Sequence, residues 1–434
     1  MSPATPTLAP VQALRDALVR GEITPRAAAE RALARANSNA GGNVYLALDT
    51  DAVLREADAL PRKFAADAKP PLYGLPVSLK DCFDLAGFPT SAGARFYAAR
   101  NGIAREDSAL AARLRALGGI IIGKTHLHQL AYGITGENPD YGDCVQPNDA
   151  RRLTGGSSSG SAASVQEGSA VAAIGTDTGG SIRAPAAFCG LAGYRASIEL
   201  AHQLGLWRGG MHLAPSFDTL GWLFRDVRDA PLLGAALFGL QVPPAAERDV
   251  RIGCVADEFL HDCEPAVLAG FAHWREKLKS SGARIAPIET AFWEDAMSIF
   301  APIQASEAGA FHAANTGGDF SHFEKSIAER LAWGLSIPAE EIARLRQLHA
   351  AFREGVDALL REHDFLIAPC APVAQLVAGA DHSQARRTIL RYTSPLSLPG
   401  VPIVTLPAAG GAGVQLIAAR GADARLLAYA AQLS

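Results

Sequence analysis

Apolar residues recur along this chain with two spacings, and the order in which those spacings appear predicts its elements. Near the start Leu8, Val11, Leu14 and Leu18 fall three or four residues apart, which places them on one face of a helix. A second helical run, "ITPRAAAERALARA", has Thr24 where a hydroxyl can accept an unpaired N–H and Pro25 where the first turn needs no donor. Residues 8–36 are therefore predicted helical, inside an N-terminal helical part of residues 1–65 that carries scaffold rather than chemistry.

Beyond residue 70 short apolar runs bounded by Gly, Pro and Asp take over. "LYGLPVSLKD" reads as a buried strand that delivers Lys80 at its end. A helix with Leu110, Leu114 and Leu117 on one face follows, stopped by Gly118-Gly119 and succeeded by a strand at Ile120–Ile122. The alternation returns at 251–255, 265–282 and 283–289, and the runs 365–372 and 400–408 have the character of further buried strands. Helix, glycine, strand is the grammar of an α/β fold. Residues 290–360 are helical and polar, an excursion off the sheet, and no repeat with a solenoid period is present.

Length alone leaves one large domain or two to three smaller ones open. With 49% hydrophobic residues the chain can bury a large core, and a net charge of -4 supplies no basic field for nucleic acid or an anionic membrane. The longest apolar stretch, 230–240, is too short to span a bilayer and reads as a core helix. No basic segment followed by an apolar core opens the chain, so the expected location is the cytoplasm. Six scattered cysteines without a CxxC pair indicate packed, reduced thiols rather than a zinc site or a disulfide framework. The expected partner is a small molecule.

The candidate chemistry lies in "RLTGGSSSGSAAS", residues 152–164, whose composition is that of a flexible spacer. It leads instead into a strand-like run ending in a second glycine-serine turn. Gly155-Gly156-Ser157 and Gly179-Gly180-Ser181 stand 24 residues apart, about one short helix plus one strand, so both turns can meet at one end of a sheet. Glycine before serine permits a sharp turn and leaves main-chain N–H groups unshielded, as an oxyanion hole needs. Serine needs a base, and no histidine falls into a motif with these turns. Lys80 can serve if burial disfavours its ammonium.

"GLPVSLKD", "GGSSSGSAASV" and "GTDTGGSIRAPAAFCGLAGY", in this order, resemble the amidase signature family of serine hydrolases. The resemblance continues through residues 216–233 and "TSPLSLPGVPIVTLP", covering most of the chain from about residue 70. It implies a single α/β/α domain over residues 1–434, with a core at 70–235, a central mixed and largely buried sheet flanked by helices, and the 290–360 helices lining the substrate pocket. It further implies Ser181 as nucleophile, Ser157 as the bridging serine after a cis peptide, and Lys80 as base. The main-chain N–H groups of Thr178, Gly179, Gly180 and Ser181 would form the oxyanion hole. The implied activity is hydrolysis of a linear amide, either a small carboxamide or a urea-like amide, through a seryl acyl-enzyme that releases ammonia or an amine. The alternative is the glutaminase subunit of a tRNA-dependent amidotransferase. Neither a metal nor an organic cofactor is implied, and a homodimer is compatible with the family.

Four further residues are candidates for substrate contact: Arg183, Trp207, Met211 and His212. For Arg183 a structural pairing with Asp177 is favoured over a substrate carboxylate, and for the other three ordinary packing weighs equally. The chain departs from the family pattern at Ser159, where glycine is most common, and at Gln146-Pro147, where Asn-Pro is usual. "GKTHLHQLA" with His126, His128 and Gln129 stands where "GKTNxxEFA" is common, and "GYRAS" where "GLKPT" is common. These departures touch the hydrogen bonding around the site and leave Lys80, Ser157 and Ser181 in place.

Overall fold

The computed structural model describes residues 10–64, 68–244, 247 and 249–433. Leu8 and the rest of the first nine residues lie outside that set. The first helix, Val11–Arg20, buries Val11, Leu14 and Leu18 and ends at Gly21 in the left-handed region. The second, Pro25–Ser38, is capped by Thr24, whose Oγ1 accepts from the Ala27 N–H at 3.1 Å. A third helix, Thr50–Lys63, follows a short strand, Tyr45–Ala47, that the periodicity did not reveal because three half-buried residues carry no repeat.

Among the described residues eleven strands form one mixed sheet. From one edge the order is Tyr45–Ala47, Ile120–Thr125, Pro76–Lys80, Ala172–Asp177, Thr219–Phe224, Ala192–Arg195, Ile403–Pro407, Gly413–Ile417, Phe365–Pro369, Arg251–Val255 and Arg284–Ile288. Pairing is parallel among Ile120–Thr125, Pro76–Lys80 and Ala172–Asp177, and again among the last three strands. The remaining pairs are antiparallel. Most strands are buried along their whole length, which explains why they read as continuous apolar runs. Arg284–Ile288, at the edge with one partner strand, is mostly exposed.

The serine-rich stretch becomes the helix Ser159–Glu167, which packs on Ala172–Asp177 and Pro76–Lys80 and is buried on every side. Its small residues are a matter of space. A Cβ at Gly160 would lie 2.2 Å from Val44 O, and the buried hydroxyls find acceptors, Ser161 Oγ donating to Ile174 O at 2.8 Å. The 230–240 run forms the helix Ala230–Phe238. The polar excursion holds three helices, Ala296–Thr316, Lys325–Ser336 and Ala339–Glu362. Among the described residues no helix is long and apolar enough to cross a membrane. Five of the six cysteines are buried and none is bridged.

Candidate active site

Lys80 ends its strand beside Ala172–Asp177, in register with it through Leu79 and Ile174. The lysine is completely buried. Its Nζ donates to three neutral hydroxyls, Thr176 Oγ1 at 2.7 Å, Ser157 Oγ at 2.8 Å and Ser158 Oγ at 3.0 Å. Burial pulls its ammonium down to about 8, against the weaker opposing influence of Cys82, Asp177 and Asp218. The neighbouring Lys124 is held differently, by an ion pair with Asp81 Oδ1 at 2.5 Å. Of these two buried lysines, Lys80 is the one that lacks a paired carboxylate.

The two glycine-serine turns meet. The Ser158 N–H donates to Ser181 O at 3.2 Å, and the Gly156–Ser157 peptide is cis. Ser181 lines a narrow cavity together with Thr178, Gly179, Tyr132, Gln304 and Arg386. Ser157 Oγ is joined to Lys80 and not to Ser181 Oγ. The turn at Ser181 is braced by Asp177, which accepts from the Gly180 N–H at 2.8 Å and the Ile182 N–H at 3.0 Å. Burial pushes the Asp177 carboxyl up, but the charges of Arg183 and Arg195 and these hydrogen bonds outweigh it and hold the carboxyl below its usual range.

This bracing corrects the expectation for Gly180 and agrees with the structural pairing favoured for Arg183. The Gly180 N–H is occupied by Asp177 and is not available to a substrate oxygen. Among the described residues no protein group accepts from the N–H of Gly179 or Ser181. Arg183 is also fully committed: its five guanidinium N–H bonds reach Asp177 twice, Thr393 O, Gln415 Oε1 and Ser397 Oγ. It is completely buried and has no donor left for a substrate.

The other substrate-contact candidates lie elsewhere. Trp207 is buried and stacks on His212 with ring centres 4.1 Å apart. His212 Nδ1 lies 3.0 Å from Asp218 Oδ2, and Asp218 Oδ1 accepts from Thr178 Oγ1 at 2.5 Å, so this group supports the back of the Ser181 turn. Met211 lines a separate depression with Asp84 and Gly209.

The departures from the family pattern are mutually adjusted. Ser159 Oγ lies 2.8 Å from His126 Nδ1, and His126 Nε2 lies 2.8 Å from Gly142 O. A carbonyl can only accept, so Nε2 carries the hydrogen and Nδ1 accepts from the serine. Burial lowers this imidazole to about 4, which keeps it neutral. Gln129 donates to Asp140 Oδ2 at 3.0 Å while its Oε1 accepts from the Glu324 N–H at 2.7 Å, a double role that a glutamate could not fill. Gln146 donates to the carbonyls of Leu153 and Phe188. His128 sits at the rim of an outer cavity that shares Gly133, Ile134 and Arg386 with the inner one.

Sequence reading did not single out Tyr132, Gln304, Leu390 or Arg386, all of which line the cavity. Arg386 opens the amphipathic helix Ala385–Ser397, where an arginine reads as part of a solvated face. Thr176 and Ser158 could have been found, because a lysine buried at a strand end requires acceptors from adjacent segments.

The profile of the Amidase family matches residues 27–427, and the chain belongs to that family, the amidase signature enzymes, which hydrolyse amides. It is 30% identical over 438 residues to AtzE, a component of 1-carboxybiuret hydrolase from Pseudomonas sp. (strain ADP), covering 93% of each chain. It is 28% identical over 458 residues to the A-type component of the glutamyl-tRNA(Gln) amidotransferase of Chromohalobacter salexigens, covering 95% of this chain and 93% of the relative. A crystal structure of an amidase superposes with a TM-score of 0.89 at 30% identity, over 98% of this chain and 99% of that one.

Proposed function

We propose that this chain hydrolyses the C–N bond of a small carboxamide or urea-like amide through an acyl-enzyme on Ser181. The observation that carries the reading is Lys80, completely buried, unpaired with any carboxylate and 2.8 Å from Ser157 Oγ, beside a serine that opens onto a cavity. In its neutral form Lys80 takes the proton of Ser157 as Ser157 takes that of Ser181. The relay closes when Ser181 Oγ turns to Ser157 around bound substrate, since such bonds commonly tighten only in the reactive complex.

Ser181 Oγ then bonds to the amide carbon, and the carbonyl oxygen takes up the negative charge facing the N–H groups of Gly179 and Ser181. As the intermediate collapses, the C–N bond breaks and the proton on Lys80 returns through Ser157 to the departing nitrogen. Water attacks the acyl ester, its proton passing by the same route to Lys80, and the release of the acid restores the Ser181 hydroxyl. The likeness to a component of a carboxybiuret hydrolase supports amide hydrolysis as the end in itself.

The likeness to A-type components of amidotransferases supports a second reading, a glutaminase that delivers ammonia to a partner. Ammonia release from a panel of carboxamides and ureas, glutamine included, tests both. The expected result is turnover by the isolated chain, reduced at least 10³-fold by Ser181→Ala. Near wild-type turnover by that variant would overturn the proposal. Glutamine turnover that appears only with a partner, with co-elution on gel filtration, would favour the second reading.

A further inference from the structure

Among the described residues that line the inner cavity, Arg386 is the one that carries charge. Its Nη2 donates to Gln304 Oε1 at 2.7 Å, and its guanidinium stands 5.4 Å from the centre of the Tyr132 ring. Arg330, from the helix Lys325–Ser336, borders the adjoining outer cavity with it. Arg330 donates to Tyr132 O at 2.7 Å, stands 4.5 Å from the same ring and has a buried Nε with no partner. Neither arginine has a carboxylate within 4.0 Å among the described residues. Burial, and then the repulsion of Arg330, lower the Arg386 guanidinium to about 10, so it is still charged at neutral pH.

Glu324 borders the outer cavity on the Arg330 side, but the inner cavity holds no carboxylate among its described lining residues, so the partly buried Arg386 guanidinium rewards an anion that enters there. Gln304 gives its carbonyl to Arg386, and no described residue accepts from its amide NH₂, so a second donor stands beside the guanidinium. A planar fork next to an amide donor matches a carboxylate. An uncharged amide would leave this pair without a role.

We propose that the substrate carries a carboxylate held by Arg386 and Gln304, with its amide carbonyl presented to Ser181 across the same cavity. The inference rests on the amide-hydrolase reading of Ser181. Ser181, Gln304 and Arg386 line one cavity, so the two groups of the substrate are joined by a short spacer.

Calorimetric binding to the Ser181→Ala protein tests this without turnover, using malonamate, succinamate and glutaramate against propionamide, butyramide and pentanamide. At least one anionic amide is expected to bind on the order of 30-fold or more tighter than its neutral counterpart. Arg386→Gln in the same background should abolish most of that preference with an unchanged thermal midpoint, and Arg386→Lys should retain part of it. Absence of any preference, absence of binding by every member, or a preference that survives Arg386→Gln would overturn the inference. If the preference holds and wild-type protein hydrolyses none of these amides, the functional reading alone falls. If neutral amides are turned over as well as anionic ones, this inference alone falls.

Discussion

Lys80 decides the chemistry at the scale of single residues, because its protonation state is set by burial rather than by a charged partner. With the ammonium lowered to about 8, kcat/KM on an amide should rise about tenfold per pH unit below that value and level off above it. A profile flat from pH 5 to pH 9 would contradict a lysine base. The same shift acts on stability. The unfolded chain binds the Lys80 proton up to its ordinary value of about 10.4, while the folded chain releases it near 8. Stability therefore rises with pH between those values, and Lys80→Met should remove that rise in denaturant unfolding while abolishing hydrolysis. Lys80, Ser157 and Ser181 were legible as residues because each sits in one of the three motifs that carry the family resemblance. Arg386 and Gln304 were not, because what marks them is the lack of an ion-pair partner across a cavity, a property of three dimensions.

At the scale of elements, the site consists of two turns and the strands that aim them. The helix Ser159–Glu167 and the strand Ala172–Asp177 return the chain so that Ser158 bonds Ser181 O. Gly180 has φ +123°, and a Cβ there would lie 2.9 Å from Thr393 Oγ1, whose hydroxyl donates to Gly179 O at 2.6 Å. Gly180→Ala must shift either the turn or the helix Ala385–Ser397 that carries Thr393. The expected outcome is a kcat about 10²-fold lower or worse and a loss of roughly 1 to 3 kcal/mol in denaturant unfolding. Wild-type kcat in that variant would show that the N–H groups of this turn need no aiming. The elements themselves were largely readable, since strands buried on both faces leave unbroken apolar runs, as at 76–80, 365–369 and 403–407. What escaped were the strand Tyr45–Ala47, too short for a period, the strands Ala192–Arg195, Thr219–Phe224 and Gly413–Ile417, and the exposure of Arg284–Ile288, which follows from its edge position in the sheet order.

Across the whole molecule, the mixed sheet assembles residues far apart in the chain. Lys80 comes from one parallel strand, Ser181 follows the next, and Gln304 and Arg386 arrive on separate helices from beyond residue 290. The α/β class was visible in the alternation of elements, but strand order was not, because periodicity reports burial and not neighbours. The central claim is that Ser181 is the nucleophile of this assembly. Its most direct test is mass spectrometry of the protein after reaction with a fluorophosphonate, which traps activated serines. The expected result is one adduct, on the peptide containing Ser181, absent from Ser181→Ala and formed far more slowly by Lys80→Met. No adduct, or an adduct elsewhere that persists in Ser181→Ala, would contradict it.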